Sequence, residues 1–429
     1  MTNSESEVNV ALLGLGVVGT GVARVLITQT DHLKSTNGHL YNLKHILVND
    51  MNKPREEFIP KDILTNSIED ILNDNTIQTI IEVIGGTGVA YTAVKTALQN
   101  GISVVTANKE LLAKHGAELR GLASSSGAQL LYEASTAAAI PVLSSLRTQL
   151  SGNKINSIRG IINGTSNYIV SQMASSNARF QDALKEAQAL GYAEADPAND
   201  IEGTDALYKI CILASLAFGA EVDPTEVHTE GITQLEPQDF YMAEELGYAI
   251  KHLGICQLID DKLLVRVHPA LLPDSQMLAK VDQVYNAIEI DGDLSGKIVL
   301  HGQGAGQNAT TSAVIGDLLE SHKNSDTRAM HNTIPGPTLS SMNLLLTKYY
   351  IRVSVTNEPG VLAKISTILG NLNISIASVI QKDGINSTEI AELIITTYES
   401  SEEALQKALT EIENLPVVET INTILRIEE

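Results

Sequence analysis

Lys209 is the only charged residue in the run Ala206–Ala220 (ALYKICILASLAFGA). Apolar residues at nearly every angular position predict a helix, about Gly203 to Gly219, that is buried rather than lying on the surface. A lone ammonium in such surroundings is costly unless a carboxylate accompanies it. Asp205 stands four residues earlier, on the same helical face. The pair reads either as an ordinary i,i+4 ion pair or as a desolvated lysine suited to giving and taking a proton. Just upstream, Gly191–Gly203 (GYAEADPANDIEG) crowds four carboxylates, Glu194, Asp196, Asp200 and Glu202, into one loop. Spacing alone leaves two readings open, a solvated loop or a receptor for a substrate ammonium group. Thr106-Ala107-Asn108-Lys109 follows a strand-like run, Ile102–Thr106, at the carboxyl end where open α/β sheets place ligands.

The phosphate-binding candidate is Gly14-Leu15-Gly16-Val17-Val18-Gly19. A bare GxGxxG means little. Here it follows the apolar run 8–13 and opens an amphipathic stretch reaching about Gln29, the strand–turn–helix setting in which glycines admit a pyrophosphate to a helix N-terminus. A second strand, Leu43–Val48, ends at Asn49-Asp50, where an adenosine ribose is read. Asp50 favours NAD, whereas Lys53 and Arg55 could serve the 2′-phosphate of NADP or lie on a solvated loop. A third strand, Thr79–Ile84, ends at Gly85-Gly86.

These elements imply a Rossmann-type doubly wound parallel sheet over 8–140. Residues 31–42 are polar and read as a loop. From 141 to 303 the pattern becomes α+β, with a helix ending at Gly191, and 304–320 reads as a glycine turn and helix returning to the first domain. Residues 321–348 read as a linker. From 349 to 429 the periodicity gives βαββαβ as a separate unit, with Asn357 as N-cap and Pro359 in the first turn of its first helix.

The chain has 429 residues and a formal net charge of −22, which argues against nucleic acid or an anionic membrane as partner. No apolar run has the length of a membrane span, and the polar N-terminus lacks the pattern of a signal peptide. Cys211 and Cys256 lie in apolar stretches without metal-ligand spacing and fit a reducing, cytoplasmic setting.

Taken together, GYAEADPANDIEGTDALYK (191–209), VVTANKELLAKHG (104–116), YEASTAAAIPV (132–142), NGTSNYI (163–169), NAIEIDGD (286–293) and GQGAG (302–306) resemble homoserine dehydrogenase. The resemblance implies NAD(P)-dependent interconversion of aspartate 4-semialdehyde and homoserine, in threonine and methionine biosynthesis. It implies Lys209 as proton donor, Asp205 holding it, and Lys109 assisting at the same oxygen. Glu194 and Asp200 are expected to bind the substrate amino end, with Tyr192, Gly164 and Thr165 completing the pocket. NADP or NAD is expected against Gly14, Leu15, Gly16, Val17, Val18, Gly19, Asn49, Asp50, Lys53, Arg55, Gly85, Gly86, Thr106, Lys109 and Gly304. A sodium-type cation is implied at Glu133 with the carbonyls of Thr136, Ala138 and Ile140. This chain departs from the family at Asn49, where an arginine is usual, at Val89 and Ala309, where prolines are usual, and at Ala138-Ala139, where the family has glycines. Residues 357–379 (NEPGVLAKISTILGNLNISIASV) resemble an ACT domain, which implies an amino-acid effector, threonine first, or a purely dimerising role. A homodimer or tetramer is expected.

Two rival functions follow from the same residues. An acyl-enzyme aldehyde dehydrogenase would require a nucleophilic cysteine. A non-catalytic dinucleotide-binding amino-acid sensor would leave the buried lysine and the carboxylate loop without a task.

Overall fold

The computed structural model describes residues 6–323, 336–384 and 387–429. Residues 324–335, within the expected linker, lie outside the described residues. The chain folds into two compact units. One gathers Met1–Asn156, Tyr208–Glu226 and Ile290–Pro337. The other gathers Ser157–Leu207, Val227–Glu289 and Thr338–Glu429.

The first unit is built on six parallel strands. Their spatial order is Leu64–Thr65, His39–Leu47, Ser6–Leu13, Thr79–Glu82, Ser103–Thr106, Leu130–Leu131. Chain order reverses between Ser6–Leu13 and Thr79–Glu82, which makes their carboxyl ends the place where such a sheet receives a ligand. Alternation along Ser6–Leu13 sends Val8, Val10 and Leu12 into one core and Ala11 and Leu13 into another, so both faces of the sheet are covered. The helix Gln307–Ser321 lies against Val17–Thr28. A Cβ at Gly21 would come within 2.4 Å of Thr311 Oγ1, so Gly21 permits that close approach.

Residues 31–42, expected as a loop, instead carry the helix Thr30–Asn37 and the start of the strand His39–Leu47. The helix buries only Leu33 and stops at Gly38, whose φ of 79° is a left-handed cap. So polar a helix has almost no apolar periodicity to betray it.

The second unit carries a mixed sheet in the order Tyr285–Gly292, Ile155–Ile161, Tyr248–Ile259, Lys262–Pro273, Val418–Ile427, Leu346–Thr356, Ser387–Thr397, Ile376–Gly384. The last four strands, with helices Val361–Asn371 and Glu402–Glu413, form the βαββαβ module. That module, expected as a separate unit, instead continues the sheet of the preceding region. Val418–Ile427 pairs in parallel with Lys262–Pro273 through Ala270↔Arg426 and Leu271↔Ile427. Ile250, Leu271, Tyr350, Ile394, Leu425 and Ile427 share one core. Buried ion pairs, Arg266–Glu428 at 2.8 Å and Arg352–Asp239 at 2.7 Å, cross the same seam.

The first helix of the module begins at Val361 behind Gly360 (φ 95°), with no side-chain cap. The N-cap position is taken by Gly360 and not by the expected Asn357. The Asn357 N–H instead donates to Glu389 O at 2.7 Å, which keeps residue 357 in the strand-end turn. Among the described residues, no helix is long and apolar enough to cross a membrane.

Candidate active site

In the first unit, the glycine turn is shaped by three different demands. Gly14 has a φ of 102°, and a Cβ there would lie 3.1 Å from Val83 O. A Cβ at Gly19 would lie 2.1 Å from Gly14 O, so the helix Val17–Thr28 can pack on the turn only with glycine at 19. Gly16 is different: nothing lies within 4 Å of a Cβ placed there. Among the described residues no packing requires glycine at 16, and the open space above it has room for a pyrophosphate. The helix behind it has no capping side chain, which leaves its N-terminal amides and positive dipole end for an anion.

Arg55 reaches this turn, with Nη1 donating to Leu15 O at 3.3 Å and Nη2 to Asp50 O at 3.0 Å. The Asp50 carboxylate accepts Asn52 N at 2.8 Å within its own turn. Asn49 and Lys53 are exposed. Gln307 Nε2 donates to Val17 O at 2.7 Å, tying the helix after the buried Gly304 to the same turn.

Glu82, which the sequence does not single out, anchors the neighbouring turn. It is fully buried, and Oε1 accepts Ile84 N at 2.8 Å and Gly85 N at 3.1 Å. Its Oε2 accepts the Thr106 hydroxyl at 2.5 Å. Thr106 Oγ1 accepts Asn108 N at 3.0 Å, and Asn108 Nδ2 donates to Gly86 O at 2.7 Å. Asn108 Oδ1 caps the helix Lys109–Ser126 by accepting Leu111 N. Half-buried Lys109 is therefore the first residue of a helix whose start is bonded to the Gly85-Gly86 turn. The signal in the sequence is a lone acid within the strand-like run 79–84, just ahead of that turn. The same helix carries Lys114 to 5.7 Å from the ring centroid of Tyr208, next to Lys209.

The proposed cation loop is held by Glu133 in another way. Its carboxylate accepts Leu143 N at 2.8 Å and Ser144 N at 2.6 Å, capping the helix Val142–Arg147, while its own N–H donates to Asp317. Burial pushes the Glu133 carboxyl up, and pushes Asp317 up to about 7. Ala138 adopts a φ of 43°, a left-handed conformation natural to glycine, so the loop keeps a turn that alanine enters under strain. Ile140 O accepts Val142 N at 2.8 Å. Among the described residues, no cluster of three or more His, Cys, Asp or Glu side chains could hold a metal.

In the second unit, Asn163 draws the carboxylate loop together. Its Nδ2 donates to Asp200 Oδ1 at 2.7 Å and to Asp205 Oδ2 at 2.8 Å, and its Oδ1 caps the helix Gly164–Ser176 by accepting Ser166 N at 2.7 Å. Thr165 Oγ1 donates to Tyr192 O at 2.7 Å, and the Tyr192 ring lies 5.0 Å from that of Tyr168. Of the expected substrate residues, Gly164, Thr165, Tyr192 and Asp200 are thus neighbours, and Asp205 joins them through Asn163. Glu194 stands exposed on the same loop, its carbonyl accepting Gln188 Nε2. The loop is pressed backbone to backbone against Gly231, where a Cβ would lie 2.3 Å from Ile201 O.

The helix Thr204–Phe218 then presents Asp205 and Lys209 one turn apart, at 6% and 8% exposure. Both are buried, as the apolar run predicts. Cys211, two residues on, has its thiol pushed up to about 12 by burial, and Cys256 is buried as well.

Known proteins resemble this chain along its whole length. A family model described as homoserine dehydrogenase matches residues 141–319, one described as homoserine dehydrogenase, NAD binding domain, matches 14–133, and one described as ACT domain matches 349–417. A homoserine dehydrogenase of Neisseria gonorrhoeae is 39% identical over 430 residues, covering 98% of each chain. The crystal structure of a homoserine dehydrogenase from Thiobacillus denitrificans superposes with a TM-score of 0.92 at 38% identity, covering 99% of both chains. A hyperthermophilic archaeal homoserine dehydrogenase solved in complex with NADPH matches 73% of this chain and 97% of its own, with a TM-score of 0.63 at 26% identity.

Proposed function

The chain belongs to the homoserine dehydrogenase family, and from that membership we propose how its own side chains divide the interconversion of aspartate 4-semialdehyde and homoserine. It is an NAD(P)-dependent oxidoreductase, and the bound nicotinamide supplies or accepts the hydride at the substrate carbon. The protein must hold the substrate, exclude water and manage one proton. Lys209 as an ammonium gives that proton to the aldehyde oxygen as the alcohol forms, and takes it back in the reverse direction, so no alkoxide charge accumulates in a dry site. Asp205, one turn earlier, keeps the ammonium oriented and compensated. Lys109 adds a second positive charge toward the same oxygen. Glu194 and Asp200 receive the substrate ammonium, with Tyr192, Gly164 and Thr165 shaping the pocket around it.

The observation that carries this reading is the burial of Asp205 and Lys209 on one helical face. Lys209→Ala should lower kcat by at least about a hundredfold while leaving NADPH binding, read by fluorescence, unchanged. Near-normal turnover would remove Lys209 from the reaction. An acyl-enzyme alternative is disfavoured because Cys211 and Cys256 are both buried, and burial pushes the Cys211 thiol up to about 12, away from the thiolate form.

We infer that Arg55, held at the end of the second strand beside the glycine turn, favours the 2′-phosphate of NADP over NAD, despite Asn49. The glycine positions 14–19 with Gly85, Gly86, Thr106 and Gly304 complete the cofactor set. A sodium-type ion would use the oxygens of Glu133, Thr136, Ala138 and Ile140, where it would stiffen the loop; no step runs through it. Threonine is the effector we assign to the ACT module, and a homodimer or tetramer in the cytoplasm the working form. Assays at 340 nm with both cofactors, with and without threonine and sodium, test these assignments together.

A further inference from the structure

We propose that Asn163 is a positioning residue that ties recognition of the substrate amino group to the proton-transfer helix. This rests on the assignment of Asp205 and Lys209 made above.

A single amide has few hydrogen-bonding groups to distribute. Asn163 is 5% exposed, and its side chain has two N–H donors and one carbonyl oxygen. One nitrogen reaches two different carboxylates, Asp200 at 2.7 Å and Asp205 at 2.8 Å. Two donors serve two acceptors, so both hydrogens are committed. The oxygen accepts Ser166 N at 2.7 Å. A flipped amide would set its oxygen against two carboxylates and its NH2 against an N–H, so only the described orientation satisfies the group. Neighbours fix the turn that carries it. Ser166 Oγ lies 3.2 Å from Asn163 O and 3.3 Å from His252 Nδ1. His252 is buried, with its Nε2 3.0 Å from Glu230 O. A carbonyl can only accept, so Nε2 carries the hydrogen, and the single Ser166 hydroxyl hydrogen has Asn163 O and His252 Nδ1 as its two acceptors in reach.

Asp200 belongs to the short helix Ala198–Ile201, and Asp205 stands in the first turn of the buried helix Thr204–Phe218. The two carboxylates thus stand on different elements, and the shared donor links their positions. A substrate ammonium received at Asp200 therefore acts on a carboxylate bonded to the same nitrogen as Asp205. Binding at the amino end is thereby spent on orienting the proton donor, and a substrate lacking that amine should lose turnover as well as affinity.

The test uses Asn163→Ser in the full chain, because serine keeps an acceptor for Ser166 N while replacing two amide N–H donors by one shorter hydroxyl, which cannot serve both carboxylates. It is run beside Lys209→Ala with homoserine and with 4-hydroxybutanoate, which lacks the amine. The expected result is a melting temperature near that of the wild type and an unchanged KM for NADP. The kcat on homoserine should fall at least tenfold, with a displaced pH profile, and the kcat advantage of homoserine over the des-amino compound should shrink by a similar factor. The proposal is overturned if Asn163→Ser keeps kcat and the homoserine preference within twofold while Lys209→Ala is inactive. It is equally overturned if the serine variant loses cofactor and substrate parameters together with its melting temperature, since that is general loosening. An active Lys209→Ala would instead sink the underlying assignment of the lysine.

Discussion

The Thr106 hydroxyl donates to Glu82 Oε2 across adjacent parallel strands, while the other oxygen of the same carboxylate holds the N–H groups of Ile84 and Gly85. A buried charge is here satisfied by three donors, and in return it sets the turn that leads to Gly85-Gly86. Hydrogen bonds to a charged partner contribute about 1.5–3 kcal/mol each. Glu82→Ala should therefore raise the dissociation constant for NADPH at least tenfold and lower the melting temperature. Glu82→Gln, which can still accept both N–H groups, should do markedly less. Fluorescence titration of the two variants separates the cases; equal, unchanged affinities would show that the turn holds itself.

The glycine motif yields a paired prediction. Gly16→Ala adds a methyl group to open space and should leave the melting temperature within about 2 °C of the wild type, while weakening cofactor binding tenfold or more. Gly19→Ala drives a Cβ into Gly14 O and should cost several kcal/mol, seen as a large drop in melting temperature before any ligand is added. If both variants melt alike, the separation between ligand clearance and internal packing is wrong.

The strand 8–13, its glycine turn and the lone lysine in an apolar helix are legible in the sequence because they are local patterns, and local patterns report burial and period directly. Relationships between distant residues leave no such mark. Asn163 stands in the segment 163–169 with nothing to mark its task, because that task depends on carboxylates 37 and 42 positions away. Glu82 lies inside the run 79–84 expected as a strand and carries no mark of its task, because its partners arrive through the turn and the next strand. The C-terminal module reads as separable because its own βαββαβ pattern is complete; nothing in that pattern reveals that Val418–Ile427 offers its other edge to Lys262–Pro273. The helix Thr30–Asn37 hides for the opposite reason, having too little apolar surface to leave a period.

That continuous sheet predicts that the module cannot simply be cut away. Ending the chain before residue 346 would unpair Ala270 and Leu271 of Lys262–Pro273 and strip Arg266 and Asp239 of Glu428 and Arg352. Unpaired buried charges cost about 3–5 kcal/mol each, and an open apolar edge invites aggregation. The truncated chain should be recovered mainly in inclusion bodies, and Arg352→Ala in the full chain should melt at least about 5 °C lower. A soluble, active truncation would mean that the shared sheet is dispensable.

Asp317 supplies a pH dependence with a definite sign. It is 2% exposed on the helix Gln307–Ser321, accepting Glu133 N at 2.7 Å, with Arg147 Nη2 3.6 Å away. Burial lifts its carboxyl to about 7; the arginine and the N–H pull it down, but the nearby Glu133 and Glu320 carboxylates add to the lift. In the unfolded chain the group returns to the ordinary aspartate value near 3.8. Between those two values the folded state holds a proton that the unfolded state has released. The stabilisation is thus fully present below about pH 4 and is lost as pH rises through about 7. Asp317→Asn keeps an acceptor for Glu133 N and has nothing to titrate. Relative to this variant, the wild type should lose at least about 3 °C of melting temperature between pH 5 and pH 8. Parallel melting curves across that window would mean that Arg147 holds Asp317 charged throughout, and a variant that gains on the wild type toward low pH would reverse the sign.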